Sequence, residues 1–444
     1  MASAAEQLAA NLNFSAFGKA TELKQRILFT LGVLVIYRLG TYIPMPGIDP
    51  NALAQMMSQS TGGILDMFNM LAGGAVGRMA IFALNIMPYI SASIIMQLMT
   101  TVSPTLEQLK KEGEQGRKQI NQYTRYGTVA LAAVQAFGIA IGLENSGNVV
   151  VDPGFFFRIS TVITLTGGTV LLMWLGEQIT ARGIGNGISL IIFTGIVAEF
   201  PRALVQAFEM ARTGAMSGFT LFALLAMLCL VVVVIVFMER AQRRLLVQYP
   251  KRQVGNKMFG GETSHLPLKI NSAGVIPPIF ASSLLLMPAT IASFNAQSAP
   301  GWLTDITALV AHGKPLYMLL YAAGIIFFCF FYTAIIINPT DTADNLKKYG
   351  GFIPGIRPGK RTAEYIDYVL TRLTVLGAIY LTGVCLLPEF MIANYGVQLF
   401  ALGGTSLLII VSVTMDTVAQ IQSHLLAHQY EGLIKKAKLR GARR

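Results

Sequence analysis

GGILDMFNMLAGGAVGRMAIFALNIMPYISASIIMQLM, residues 62–99, holds two apolar pieces of unequal length. The first, from Gly62 to Gly74, fits nine residues between two glycine pairs. At about 1.5 Å per helical residue it reaches roughly half of a ~30 Å hydrocarbon core. It is too apolar for an ordinary loop and too short to cross a bilayer. The second, read as 76–100, is long enough to cross. A short apolar helix directly before a spanning one points to a membrane protein with a re-entrant element.

The rest of the chain agrees with that class. Of 444 residues, 53% are hydrophobic and only 13% are charged, where a soluble domain carries about 25% charged residues. Mean hydropathy is +0.57. Ten spans are expected, near 25–42, 76–100, 126–143, 156–175, 187–205, 218–238, 273–293, 316–337, 370–388 and 401–418. The opening residues, MASAAEQLAANLNFSAFGKA, lack the charged head and apolar core of a cleavable leader. The first span is therefore expected to act as its own insertion signal. Cys229, Cys329 and Cys385 all lie in apolar runs and read as packing residues.

Charge orients the bundle. Of the 34 Lys and Arg, all but Arg38, Arg78, Arg158, Arg202, Arg212 and Lys314 fall on the two termini or on the loops after even-numbered spans. The positive-inside rule then places both termini in the cytoplasm. The net charge of +12 sits on that face, which suits anionic lipid. Two loops there, 239–272 and 338–369, are long and carry ordered-looking apolar positions such as GFIPGIRPG at 351–359. Long loops of this kind are often functional, and a docking surface for a cytoplasmic partner is the preferred reading. An outward connection at 201–217 divides the chain into halves 1–200 and 218–444, as in many transport folds.

Catalytic and cofactor signals are missing, so no cofactor and no metal is expected and the chain does not read as an enzyme. No span centre holds a chain of ionisable groups of the kind ion-coupled transporters use. HLLAH at 424–428 lacks the glutamate of HExxH. GIRPGKRT at 355–362 fails as a phosphate-binding loop, because Arg361 stands where Ser or Thr is needed. GIGNG at 183–187 follows no strand.

Six stretches resemble one family. They are residues 62–99 above, KKEGEQGRKQINQYTRYGT (110–128), WLGEQITARGIGNGISLIIF (174–193), HLPLKINSAGVIPPIFASSLL (265–285), NPTDTADNLKKYGGFIPGIRPG (338–359) and FALGGTSLLIIVSV (400–413). Together they resemble the SecY/Sec61-alpha family of protein-conducting channels, over nearly the whole chain. The resemblance implies an all-α polytopic fold of ten helices. Two five-helix halves form a clamshell around an hourglass pore, with a short plug helix near 62–74.

What the family does locally carries onto named residues. The resemblance places the apolar pore ring on Ile86, Ile90, Ile188, Ile192, Ile279 and Ile409. Taken alone, Ile86/Ile90 and Ile188/Ile192 are only i,i+4 pairs sharing a helix face, which lipid contact also explains. A ring of branched apolar side chains can gate by dewetting, and β-branching keeps it stiff. In the plug, Ile64, Leu65, Met67, Phe68 and Leu71 are expected to face the ring, while Asp66 and Asn69 face water. The glycine pairs at its ends read as points of easy swing.

Spans two and seven form the family's lateral gate, which implicates Pro88, Ser91 and Gln97 on one and Asn271, Pro277 and Ser282 on the other. There the prolines are expected to permit bends, and interhelical hydrogen bonds in bilayers average only ~0.6 kcal/mol. Docking falls on Arg357, Lys347, Lys348, Arg252 and Lys257. The resemblance also implies partners: SecE and SecG subunits, a SecA motor, the ribosome, signal peptides and unfolded chains, SecDF/YajC and YidC. The implied location is the bacterial inner membrane.

Overall fold

The computed structural model describes residues 21–59, 69, 72–145, 149–214, 217–250, 252–254, 257–259, 263–294, 314–395 and 404–441. Six of the seven expected plug residues, Ile64, Leu65, Asp66, Met67, Phe68 and Leu71, lie outside the described residues. The helices are α1 (Thr21–Gly40), α2 (Pro50–Gln59), α3 (Met87–Val102), α4 (Pro104–Lys111), α5 (Glu114–Asn145), α6 (Phe155–Arg182), α7 (Gly187–Arg212), α8 (Gly218–Arg240), α9 (Ile276–Phe294), α10 (Pro315–Ile336), α11 (Pro339–Lys348), α12 (Lys360–Tyr395) and α13 (Gly404–Gly441). Between α8 and α9 lie four short strands: β1 (Gln242–Gln248), β2 (Arg252–Val254), β3 (Lys257–Phe259) and β4 (Thr263–Lys269). Among the described residues seven helices are long and apolar enough to cross a membrane, and α3 and residues 276–285 are shorter apolar helices.

Several helices outrun the apolar windows that announce them. The third span, expected from 126, begins at Glu114, and the fourth runs on to Arg182. A bidentate pair explains part of this: Arg125 donates to both carboxylate oxygens of Glu177, at 2.9 and 2.7 Å, tying α5 to α6 where neither is apolar. At 38 residues, α13 far exceeds the expected 401–418 and reaches about 57 Å. The expected connection at 201–217 is helical as far as Arg212, with Pro201 inside the helix.

The chain divides into two compact units. One comprises Met1–Met96, Leu109–Arg202 and Ile409–Arg444; the other comprises Gln97–Gln108 and Ala203–Leu408. Apart from the excursion at Gln97–Gln108, the chain passes from one unit to the other at Arg202, next to Pro201 and within the expected connection. Most of the last span groups with the first unit, whereas a division by halves puts it with the second. Its side chains explain why: Ile421 and Leu425 pack on Leu23 and Ile184, and Gln420 Oε1 accepts from the amide of Gly185 at 2.8 Å.

Inside the first unit, small residues set helix separations. Ala132, Ala136 and Ala140 form an i,i+4 stripe on α5, fully buried in a cluster with Leu165 of α6. Such stripes let membrane helices approach closely. Gly187, at the start of α7, lies so near the Gly176 carbonyl of α6 that a Cβ there would overlap it, and Gly168 has the same relation to the carbonyl of Ile81.

The second unit adds the feature that charge counting did not reveal. β1 pairs antiparallel with β4 in the register Leu245↔Leu266 and Val247↔Ser264, and β2 pairs with β3. Leu245 and Val247 alternate inward, and Leu245 joins Leu268, Ile353, Ile366 and Leu370 in a core under both long loops. Elsewhere in the unit, Phe280 of α9 meets Phe328 and Tyr332 of α10 edge to face, with centroids 5.7 and 6.2 Å apart. Phe222, Val233 and Phe237 of α8 remain exposed, as lipid-facing side chains do.

The glycine contacts give a direct test. Gly168→Ala pushes a methyl into the Ile81 carbonyl and is expected to destabilise the protein by about 1–3 kcal/mol. Gly167→Ala, with nothing within 4 Å of its new Cβ, is expected to be neutral. Thermal unfolding of both variants in detergent measures the difference; equal melting temperatures would refute the close packing.

Candidate functional site

Among the described residues, the entrance to α3 is the most unusual backbone. Span two was expected as helix from 76, yet the helix starts at Met87. Its 16 residues reach only about 24 Å, short of the ~30 Å core. Residues 72–86 are a series of tight turns, carried by the bonds Ala80 N→Ala75 O (2.9 Å), Ala83 N→Ala80 O (2.9 Å) and Asn85 N→Phe82 O (2.9 Å). Met79 and Asn85 hold φ of 41° and 49°, uncommon for non-glycine residues. Non-helical backbone at membrane depth is tolerated where protein buries it or where it lines a water-filled cavity.

The first span and its following turn supply further partners. Met45 N donates to Met79 O at 2.9 Å, and Ile81 N donates to Ile43 O at 3.0 Å. Pro44 and Ala80 form an isolated β-bridge. Phe82 lies against Gly40, where a Cβ would strike its ring, and faces Tyr37 with centroids 6.1 Å apart. Asn69, the one described residue of the expected plug, is not free in water: its Oδ1 accepts from Gly77 N at 2.5 Å, and its carbonyl accepts from Gly74 N at 2.7 Å. Asn69 was expected to face water; its side chain is half-buried and caps the amide of a turn, as short polar side chains do.

The C-terminal glycine pair is also not a loose swivel. Gly73 and Gly74 take φ of 63° and 79°, which explains glycine there. The Gly73 carbonyl accepts from Arg38 Nη1 at 2.6 Å and Arg78 Nη2 at 3.1 Å. A Cβ on Gly74 would lie 2.6 Å from Glu199 Oε1. Sequence reasoning set Arg38 and Arg78 aside because they broke the charge alternation. That break was the available signal.

The six isoleucines expected to form the ring share one placement. Ile86 immediately precedes α3 and Ile90 lies in its first turn, joined by Ile90 N→Ile86 O at 3.1 Å. Ile188 and Ile192 lie in the first two turns of α7, Ile409 in the second turn of α13 and Ile279 in the first turn of α9. Each therefore sits where a helix begins. Ile86 and Ile409 are buried, and the other four are half-buried.

Among the gate residues the prolines act differently from the expectation. Pro88 lies in the first turn of α3, and Pro277 in the first turn of α9. There a missing N–H removes no helical bond, so these prolines start helices rather than bend them. Ser91 and Gln97 are half-buried on α3. Ser282 is buried, its hydroxyl donating to its own helix at Ile279 O, 2.9 Å. Asn271 is buried, and its amide nitrogen donates to Glu239 Oε1 at 2.6 Å and to Gly274 O at 3.2 Å. Both facing atoms are acceptors, which fixes the amide orientation.

The long loops form one scaffold. Gln248 and Phe352 exchange two backbone bonds of 2.8 and 2.9 Å. Ile353 is buried and Ile356 packs beside it, and Thr362 donates to the Arg357 carbonyl at 2.9 Å. Arg357 is thus an exposed side chain on a turn fixed from both ends. Lys347 and Lys348 are exposed in the last turn of α11. Arg252 and Lys257 lie on β2 and β3, of which only the backbone is described. The GIGNG loop spends its amides internally: Ile184 N on Thr30, Gly185 N on Gln420 and Gly187 N on Thr180. Those bonds take up the donors a phosphate would need.

Comparison with known proteins locates this geometry. The SecY family model matches residues 80–418. Protein translocase subunit SecY of Pseudomonas aeruginosa is 57% identical over 425 residues, covering 96% of each chain. The Escherichia coli K12 subunit of the same name is 55% identical over 431 residues, covering 96% of this chain and 97% of its own. Among solved structures, one described as a protein conducting channel matches with TM-score 0.67 at 18% identity, covering 90% and 92%. Sec61 in a canine ribosome–channel complex matches with TM-score 0.64 at 17% identity, covering the same shares.

The Asn271–Glu239 bond generates a second prediction. A double-mutant cycle with Glu239→Ala and Asn271→Ala, read by unfolding in detergent, is expected to give a coupling of about 1.5–3 kcal/mol, the range of hydrogen bonds to charged groups. Additive effects would show that the two side chains do not hold each other.

Proposed function

Since the chain belongs to the SecY family, we propose that it is the channel subunit of a protein translocase. It moves unfolded secretory proteins across the bacterial inner membrane and releases apolar segments sideways into the lipid. The observation that carries this reading is the non-helical entrance to α3, ending at buried Ile86, in a chain 57% identical to a named translocase subunit. Turns at membrane depth suit a chain that borders a passage.

In this reading the ten spans enclose an hourglass whose waist is formed by Ile86, Ile90, Ile188, Ile192, Ile279 and Ile409. Apolar side chains offer no fixed hydrogen bond to a passing polypeptide and exclude water at rest. The Gly62–Gly74 segment covers the waist from outside as the plug. Pro88, Ser91 and Gln97 face Asn271, Pro277 and Ser282 across the lateral gate. Both termini are cytoplasmic. The exposed Arg357 and the lysines of α11, with Arg252 and Lys257, receive a SecA-type motor or the ribosome. Subunits of the SecE and SecG type complete the complex, SecDF/YajC and YidC assist it, and anionic lipids meet its basic face. The subunit does no chemistry; the driving energy comes from its partners.

The deciding experiment reconstitutes the complex with an ATP-driven motor in liposomes and asks whether a secretory precursor becomes protease-protected. Protection is expected, and its absence with a demonstrably active motor would overturn the reading. In planar bilayers, Ile90→Gly with Ile192→Gly is expected to raise resting ion conductance severalfold; unchanged conductance would remove these residues from the seal. Arg357→Glu is expected to abolish most motor-driven transport while the protein still inserts. Wild-type transport in that variant would exclude the residue from docking.

A further inference from the structure

We propose that Arg38, Arg78 and Tyr42 form a clamp that positions Ile86 and Ile90, so that the seal at the waist depends on charged residues well outside it. The inference rests on the channel reading and deepens it. Two guanidinium groups converge on one uncharged acceptor, the Gly73 carbonyl. Bringing like charges together is unfavourable unless something nearby offsets it, and three features do.

The first is Tyr42. Its ring lies under both cations, 4.2 Å from Arg78 and 5.1 Å from Arg38, measured to the centroid, and an aromatic face attracts cations. Its hydroxyl also accepts from Arg38 Nη2 at 3.2 Å. The second is Glu199. A Cβ on Gly74 would touch both its Oε1, at 2.6 Å, and Arg78 Nη2, at 2.8 Å, so carboxylate and guanidinium share one small space. The third is Thr41, whose carbonyl accepts from Arg78 Nε at 3.2 Å. Charge-assisted bonds of this kind are roughly twice as strong as neutral ones.

The clamp sits at the head of the non-helical run. From Gly73 the chain passes through Arg78, Met79 and Ile81, each bonded to residues 41–45, to Phe82 in the notch of Gly40, and then to Ile86. No helical ladder stiffens residues 73–86. Their position comes from these bonds to α1 and the turn after it, together with packing on α6 and α7, and Arg38 is the tie at the end of the run furthest along the chain from Ile86. Free glycines at 73 and 74 would leave that end of the run loose; the two arginines hold it.

The test uses the whole complex in lipid nanodiscs and planar bilayers. The variants are Arg38→Gln, Arg38→Lys, Tyr42→Phe and Arg38→Gln with Arg78→Gln. Arg38→Gln is expected to raise amide hydrogen exchange across residues 73–86 roughly tenfold or more and to raise resting ion conductance, while motor-driven transport persists. Arg38→Lys, keeping one donor without the planar fork, is expected to fall between. Tyr42→Phe keeps the ring and loses only the hydroxyl bond, so its change is expected to be smaller still; it also serves if Arg38→Gln fails to fold. Unchanged exchange would show that no clamp exists. Raised exchange with unchanged conductance would show that the clamp does not position the waist. Neither outcome bears on whether the wild-type complex transports a precursor, so failure of the inference is separable from failure of the channel reading.

Discussion

Hydrocarbon offers no partner to an amide, and this constraint governs everything else in the chain. Helices satisfy it by themselves. Residues 72–86 do not form one, so the polar groups that their own turns leave over need partners from neighbouring elements. The turn after α1 supplies backbone acceptors and donors at Ile43 and Met45, Gly168 of α6 admits the Ile81 carbonyl, and Arg38 reaches the Gly73 carbonyl. The first unit is arranged around keeping one irregular stretch of backbone dry and paired. Gly40, Gly73, Gly74 and Gly168 are placed accordingly, at contacts rather than at swivels.

A division of labour between the two units follows. In the first, backbone irregularity lies against α1 and α6 and ends at isoleucines on helix starts. In the second, regular helices carry a small β-scaffold with its own core of Leu245, Ile353 and Ile366. An arginine standing on that scaffold differs from one in an unstructured loop. Ile353 and Ile356 anchor the turn beneath Arg357, so its charge is presented from a defined point.

How far the sequence could be read depended on whether a signal was local. Seven of the ten expected spans are membrane-length apolar helices among the described residues, and they were legible because uninterrupted apolar runs such as 218–238 have no other explanation at this composition. Span ends were less so, since Arg125 and Glu177 prolong their helices through a contact 52 residues apart. The strands were missed because basic loops were read for charge, although RRLLVQ alternates visibly from Leu245 to Val247. The prolines were read as bends without regard to position; Pro88 and Pro277 stand in first turns, where proline is harmless. The family resemblance supplied the site residues. What it did not supply was the role of Arg38 and Arg78, which depends on a convergence in space that spacing alone does not encode.

The paired backbone bonds between Gln248 and Phe352 have a mechanical meaning. They cross-link two loops that are far apart along the chain. Ile270 N also bonds Ala241 O at 3.1 Å, closing the base of the hairpin just before α9. A push on the hairpin tip is therefore not absorbed by slack in the loops. It travels as a torque to the foot of α9 and, through residues 353–360, to the head of α12. That cross-bonding makes the β-scaffold a transmission, able to turn pressure on the two loops into strain at the starts of helices.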